Sequence, residues 1–244
     1  MIVLAVGMPR AGSGWHYNLT HDLMLTAGAA DAREVRARYR LGGILTEVNC
    51  NIGVLSARRL ARVFAPAGLR ETFTIKLHAG PTTWGKLLIR GGLIRPTYIY
   101  RDPRDALVSA FEYGERARSA GRANAFSPLT TLDASIEFIA EYVGYWSEWT
   151  AVPGCHTLRY EDLRTGYAAE AVRLARFLGV DPEGQAAAEV IDRYRPERSH
   201  EDTPGLHFVK GVSGRYREAL TQAQQDRCLG MFGFELQRMG YSVE

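Results

Sequence analysis

Four short stretches carry residue types that chemistry uses. The first, "GMPRAGSGW" at residues 7–15, sets glycines 7, 12 and 14 around Arg10. Glycine lets backbone N–H groups approach an anion closely, and the start of a following helix adds partial positive charge. Gly7 to Gly12 keeps the spacing of the phosphate loop G-x-x-x-x-G-K-[ST], but Ser13 and Gly14 stand where that loop has its lysine and its hydroxyl residue. A guanidinium placed among backbone donors is expected to find its partner in a bound anion. A plain Gly-rich turn between strand and helix is the competing reading.

The second stretch is "TFTIKLH" at 72–78, where Lys76 and His78 alternate with Ile75 and Leu77 and so emerge on one side of a strand at its end. A lysine and a histidine together fit a charge stabiliser beside a general base; a hydrogen-bonded structural histidine is the alternative. In the third, "YIYRDPRDALVSAF" at 98–111, Asp102 is a good helix N-cap with Pro103 at the first helical position. Ser109 returns about two turns later to the face of the cap, so Arg101 and Ser109 can grip one anion. A surface ion-pair cluster of Asp102, Arg104 and Asp105 would use the same residues. The fourth, "TLRYEDL" at 157–163, ends a strand at Tyr160, and the loop "FVKGVSGRY" at 208–216 adds Lys210 and Gly211. Either alone reads as ordinary surface.

The elements that position these residues alternate. Apolar runs at 1–6, 72–78, 97–101 and 156–160 are followed by helical patterns at 15–29, 82–90, 103–118 and 168–178. Strands separated by helices make an α/β fold, three-layered and of the P-loop type, with a mostly parallel central sheet flanked by helices. Ligands of such sheets bind beyond the carboxyl ends of the strands, where the four stretches lie. A charged stretch at 33–40, a polar loop at 119–131, a helix at 132–151, a long loop at 195–217 and a last helix at 221–239 complete a single domain spanning 1–244.

Composition narrows the function classes. With 46% hydrophobic and 23% charged residues the chain is an ordinary globular one, and a net charge of +3 is too small to argue for nucleic acid; a small anionic ligand fits it as well. Cys50, Cys155 and Cys228 are odd in number and form no C-x-x-C pair, which reads as reduced cytoplasmic thiols and no zinc site. The opening strand is too short for a signal-peptide core, and no run approaches the ~18 apolar residues of a membrane span.

Taken in order, the stretches resemble the sulfotransferases that use 3'-phosphoadenosine 5'-phosphosulfate. "PRAGSGW" resembles that family's P-[KR]-S-G-[ST]-[ST]-W loop, "KLH" its K-T-H element, and "RDPRDALVS" its R-[DN]-x-[KR]-D-x-x-V-S motif. "RYEDL" resembles its [FY]-Y-E-D-[LM] segment and "KGVSGRY" its K-G-x-x-G-[DR]-[WY] loop, so the likeness runs from residue 7 to residue 217. The resemblance implies that Arg10, Ala11, Gly12, Ser13 and Gly14 bind the 5'-phosphosulfate, with Trp15 on the adenine side. It implies that Arg101 and Ser109 hold the 3'-phosphate, that Tyr160 lies near the base, and that Lys210 and Gly211 close over the nucleotide. Lys76 then stabilises the transferring sulfuryl group and His78 takes the acceptor proton. Ala11 and Gly14 depart from the hydroxyl residues of the family loop, and Val209 stands where an arginine often precedes the lysine. "REALTQAQQD" at 217–226 only loosely matches the family's dimerisation segment, which leaves the oligomeric state open.

The missing lysine and hydroxyl then have a reason. A transferring sulfuryl group carries less negative charge than a phosphoryl group, so one cation at the bridging oxygen, Arg10, replaces Mg²⁺ and its supports. No metal is expected. The acceptor is a small molecule, glycan or lipid bearing a hydroxyl or amine, its pocket shaped by 32–51, 82–84 and 119–131. Two other classes stay open at this point: a metal-dependent P-loop kinase, which would need a lysine near position 13, and a non-catalytic nucleotide-binding module, which would have no use for Lys76 and His78.

Overall fold

The computed structural model describes residues 1–68, 70–198 and 212–243. The chain opens with β1 (Ile2–Gly7), α1 (Ser13–Thr26), α2 (Ala32–Arg38) and α3 (Ala57–Gly68), then β2 (Phe73–Leu77), α4 (Thr83–Arg90), β3 (Ile94–Tyr100), α5 (Pro103–Ser119) and α6 (Leu132–Thr150). It continues with β4 (His156–Arg159), α7 (Tyr160–Thr165), α8 (Tyr167–Leu178), α9 (Gln185–Arg193), α10 (Tyr216–Ala219) and α11 (Gln222–Arg238). Lys210, Gly211 and Val209, with most of the loop expected at 195–217, lie outside the described residues.

The four strands form one parallel sheet in the order β2-β1-β3-β4. The buried central strand β1 reads IVLAVG, apolar on both faces as a covered parallel strand must be. Its two neighbours leave it in opposite directions along the sheet, so the crevice for a ligand opens at the carboxyl end of β1.

Register sorts the side chains into layers. Val3, Ile99 and Leu158 face α1, α8 and α9 in one apolar cluster; Leu4, Val6, Ile75 and Tyr98 belong to a second cluster with α5, α6 and α11. Lys76 pairs with Ala5, Ala5 with Thr97, and Thr97 with His156, so these four lie in one row on the α1 face. His16 of α1, fully buried, has no hydrogen-bond partner for either ring nitrogen among the described residues. Burial, then the charges of His156 and Lys76, push its pKa down to about 3, so His16 is a neutral ring in a polar seam through the core.

One helix, α2, occupies a charged stretch without a strong apolar period. In α2 the Asp31 carboxylate accepts from the Arg33 N–H at 2.6 Å, and Arg36 and Arg38 sit in the last turn, where the helix dipole favours cations. Among the described residues, no helix is long and apolar enough to cross a membrane.

Candidate active site

The loop after β1 is held in place from below. Gly12 has φ 77°, and a Cβ on it would come within 2.8 Å of the Tyr160 ring, so both the backbone angle and the close approach require glycine. Arg10 also adopts a positive φ, 64°, an uncommon angle for a residue with a side chain and one that gathers at functional sites. No side chain caps α1, whose N-cap is Gly12 itself. Its first N–H groups are therefore left for water or an anion.

Arg10 is not without protein partners, contrary to what its place in the loop implied. Its Nε donates to Ser109 Oγ at 3.2 Å and its guanidinium lies 4.4 Å from the centre of the Tyr113 ring. Both partners come from α5, a helix whose proximity the loop's own sequence cannot reveal. Desolvation, outweighing Tyr113 and added to by Arg116 and Arg101, lowers the Arg10 pKa to about 10, and it remains a cation at neutral pH.

Lys76 and His78 leave the end of β2 on the same side, as their alternation requires. Lys76 is 6% exposed; burial, then the charge of Arg10, brings its pKa down to about 8. The half-buried His78 ring lies with Nδ1 2.6 Å from the Gly7 carbonyl. A carbonyl only accepts, so Nδ1 carries the hydrogen and Nε2 keeps its lone pair. Desolvation, then Lys76, lowers the His78 pKa to about 3 against the small opposing effect of that hydrogen bond. The ring is a neutral base throughout the physiological range.

These shifts give a pH profile. Lys76 is charged below about 8, and His78 is neutral above about 3. If both forms are required, kcat/KM should show no acid limb near the ordinary histidine pKa and should fall as pH rises through about 8. A profile that instead declined below about 6.5, the ordinary value, would mean that His78 titrates as an exposed imidazole.

Arg101 is the first residue after β3, one beyond the strand end expected from the sequence, and is 7% exposed. Its Nη2 donates to the Val212 carbonyl at 2.8 Å and lies 3.5 Å from Asp105 Oδ2, while its guanidinium sits 4.8 Å from the Tyr160 ring centre. Its Nε is buried with no hydrogen-bond partner among the described residues. A buried charged donor left unpaired is costly, and a phosphate oxygen would satisfy it. Ser109 is joined to Arg10 rather than to Arg101, so α5 ties the first motif to the third.

Asp102, Arg104 and Asp105 are not the surface cluster of the alternative reading, for each is buried. Asp102 caps α5 through the Arg104 N–H at 2.9 Å and pairs with the Arg104 guanidinium at 2.8 Å. Trp15 sits in the core. It is 2% exposed, its indole N–H donates to the Tyr194 carbonyl at 2.9 Å, and its ring stacks on Tyr167 at 5.6 Å. In this arrangement it anchors α1. Tyr160 is the first residue of α7 rather than the end of a strand, and its ring supports Gly12 and Arg101.

A feature the sequence reading did not single out borders this site. Tyr113, Phe126, Phe138, Tyr142 and Tyr145 are all half-buried and touch ring to ring in that order, with centroids 5.7, 5.8, 4.9 and 5.5 Å apart. One end of the row meets Arg10, and the other abuts Gly80, where a Cβ would come within 2.7 Å of Tyr145. Gly114 lets the 119–131 loop seat on α5, since a Cβ there would clash with the Phe126 carbonyl oxygen.

An open parallel sheet with an uncapped Gly-rich loop and cations at its carboxyl edge defines an α/β protein with a site whose donors and charges suit an anion. Residues 2–240 match the family described as the sulfotransferase domain, and the chain belongs to that family. Cytosolic sulfotransferase 17 of Arabidopsis thaliana is 26% identical in an alignment 177 positions long that covers 59% of this chain and 50% of that protein. The chain thus spans about half the length of the curated relative it matches. Mouse sulfotransferase SULT7A1 complexed with PAP superposes with TM-score 0.65 at 18% identity, over 96% of this chain and 83% of that one. Retinol dehydratase in complex with androsterone and inactive cofactor PAP gives TM-score 0.61 at 15% identity, over 96% and 80%. At these identities the two structures show the shared fold. Among the described residues no group of three or more His, Cys, Asp or Glu is placed to hold a metal ion.

Proposed function

We propose that the protein transfers a sulfuryl group from 3'-phosphoadenosine 5'-phosphosulfate to the hydroxyl of an acceptor, with His78 as general base. The observation that carries this reading is the meeting, at one sheet edge, of the Arg10 loop, the Lys76–His78 pair and an Arg101 whose buried Nε has no partner among the described residues. The PAP held by SULT7A1 and by retinol dehydratase supports the same donor here.

The donor supplies the sulfuryl group and an adenosine phosphate as leaving group. Arg101 and the 10–14 loop hold its two anionic ends. His78 Nε2 takes the acceptor proton as the acceptor oxygen attacks sulfur in line, and Lys76 with Arg10 balances charge at the transferring group and the bridging oxygen. The aromatic row from Tyr113 to Tyr145 favours an acceptor with a flat apolar body, held with its hydroxyl toward His78. We place the reaction in the cytoplasm, in line with the cytosolic relative.

The test is label transfer from sulfur-labelled donor to a panel of phenols, steroid alcohols and sugars in EDTA. Transfer should survive the chelator and favour ring-bodied acceptors. No sulfur-label transfer under any condition, with phosphoryl transfer from ATP and Mg²⁺ instead, would return the metal-dependent kinase-like reading.

A further inference from the structure

One buried carboxylate on α5 serves two neighbours at once. The Asp105 side chain is 1% exposed. Its Oδ2 accepts the Gly214 N–H at 2.7 Å and lies 3.5 Å from Arg101 Nη2; its Oδ1 accepts the Tyr216 N–H at 3.1 Å. Arg101 closes the ring by donating Nη2 to the Val212 carbonyl at 2.8 Å. The 212–216 turn is fastened to α5 twice more. Arg104 lies 4.0 Å from the Tyr216 ring centre, and Arg215 pairs with Glu112. Gly214, at φ 83°, supplies the backbone angle that turns the chain there.

From this geometry we infer that Asp105 is a positioning residue for 3'-phosphate recognition: one carboxylate sets both the Arg101 guanidinium and the 212–216 turn. The inference rests on the proposed role of Arg101 as the 3'-phosphate ligand. With Nη2 occupied by Asp105 and Val212 and its face against Tyr160, the guanidinium has few orientations left, and its buried Nε, without a partner among the described residues, is a donor left for an anion. A ligand that meets a side chain already fixed loses less conformational freedom on binding. An exposed ion pair contributes little; this one, between the residue before the α5 N-cap and the first turn of α5, is buried and shared with backbone donors more than a hundred residues away.

An amide at position 105 cannot do both jobs. Asparagine accepts with its oxygen alone, so one of the two N–H groups faces another donor, and the attraction to Arg101 is lost. By titration calorimetry, Asp105→Asn should weaken adenosine 3',5'-bisphosphate by about tenfold or more and change adenosine 5'-monophosphate by less than about twofold, in keeping with charge-assisted hydrogen bonds. In an Arg101→Ala background the same substitution should cost the bisphosphate little, because coupled residues are not additive. Asp105→Glu, which keeps the charge and moves it by one methylene, should also lose the preference and serves where Asp105→Asn does not fold.

Equal losses for both nucleotides, a full additional loss in Arg101→Ala, or tighter bisphosphate binding in Asp105→Asn would each overturn the inference. So would a folded Asp105→Glu that keeps the preference. These outcomes presuppose that the unmodified protein prefers the bisphosphate; no preference there would sink the donor assignment itself and the inference with it.

Discussion

His78→Ala is expected to lower turnover by about 10²–10⁴, the range for a lost general base, while leaving adenosine 3',5'-bisphosphate binding nearly unchanged. The reason lies in the ring's two nitrogens. Nδ1 is committed to the Gly7 carbonyl, and Nε2 is a free lone pair on a ring kept neutral by burial and by Lys76. A base with pKa near 3 is thermodynamically weak, so its contribution rests on position and on the proton's becoming acidic only as the acceptor bonds to sulfur. The alanine variant also frees the Gly7 carbonyl, and the control is His78→Asn, whose amide can donate to that carbonyl without offering a base. Both variants should lose turnover together. Near-normal turnover in either would move the base to another residue; a parallel loss of bisphosphate binding would make His78 a support for the loop.

Lys76→Met should cut turnover by about 10²–10³, as removal of one transition-state charge stabiliser does, and should make the protein more stable. The second half follows from linkage. Lys76 has a folded pKa of about 8 against an ordinary 10.5, so folding penalises its charged form. The penalty is fully present below pH 8 and fades as pH rises toward 10.5. At 1.36 kcal/mol per unit it is on the order of 3 kcal/mol at pH 7. Methionine fills similar space without charge, so the melting temperature measured at pH 7 should rise by about 5 °C or more. A variant that was both inactive and less stable would show that Lys76 holds the structure together rather than storing electrostatic strain for catalysis.

Much of this site was legible before the structure because it sits at strand ends. Short apolar runs closed by Gly, His, Arg and Tyr mark where a parallel sheet delivers side chains to its carboxyl edge, and each run proved to be a strand of that edge within a residue or a few at its bounds. What the spacing could not show were partners distant along the chain. Arg10 meets Ser109 across 99 positions, and Asp105 meets Gly214 across 109. A buried Asp105 and a surface one look alike in "RDPRD". Trp15 shows the same limit from the other side: an aromatic at the start of a helix serves a ligand or a core equally well by pattern, and here Tyr167 and the Tyr194 carbonyl draw it into the core. The charged stretch at 33–40 hid α2 because its charges obey the helix dipole rather than an apolar period; Asp31 before it and Arg36 and Arg38 near its end are the signals that identify it.

The central claim is that this site reads a nucleotide with phosphates at both ends, and competitive titration calorimetry in EDTA tests it without knowledge of the acceptor. Adenosine 3',5'-bisphosphate should bind one to one and at least about tenfold more tightly than adenosine 5'-monophosphate, the ratio expected from a charge-assisted contact worth roughly 1.5–3 kcal/mol. Arg101→Ala should remove most of that difference by weakening the bisphosphate alone. Equal affinity for the two nucleotides in the unmodified protein would contradict the account, leaving Arg101 as a helix-start residue paired with Asp105 and the site as a general phosphate loop.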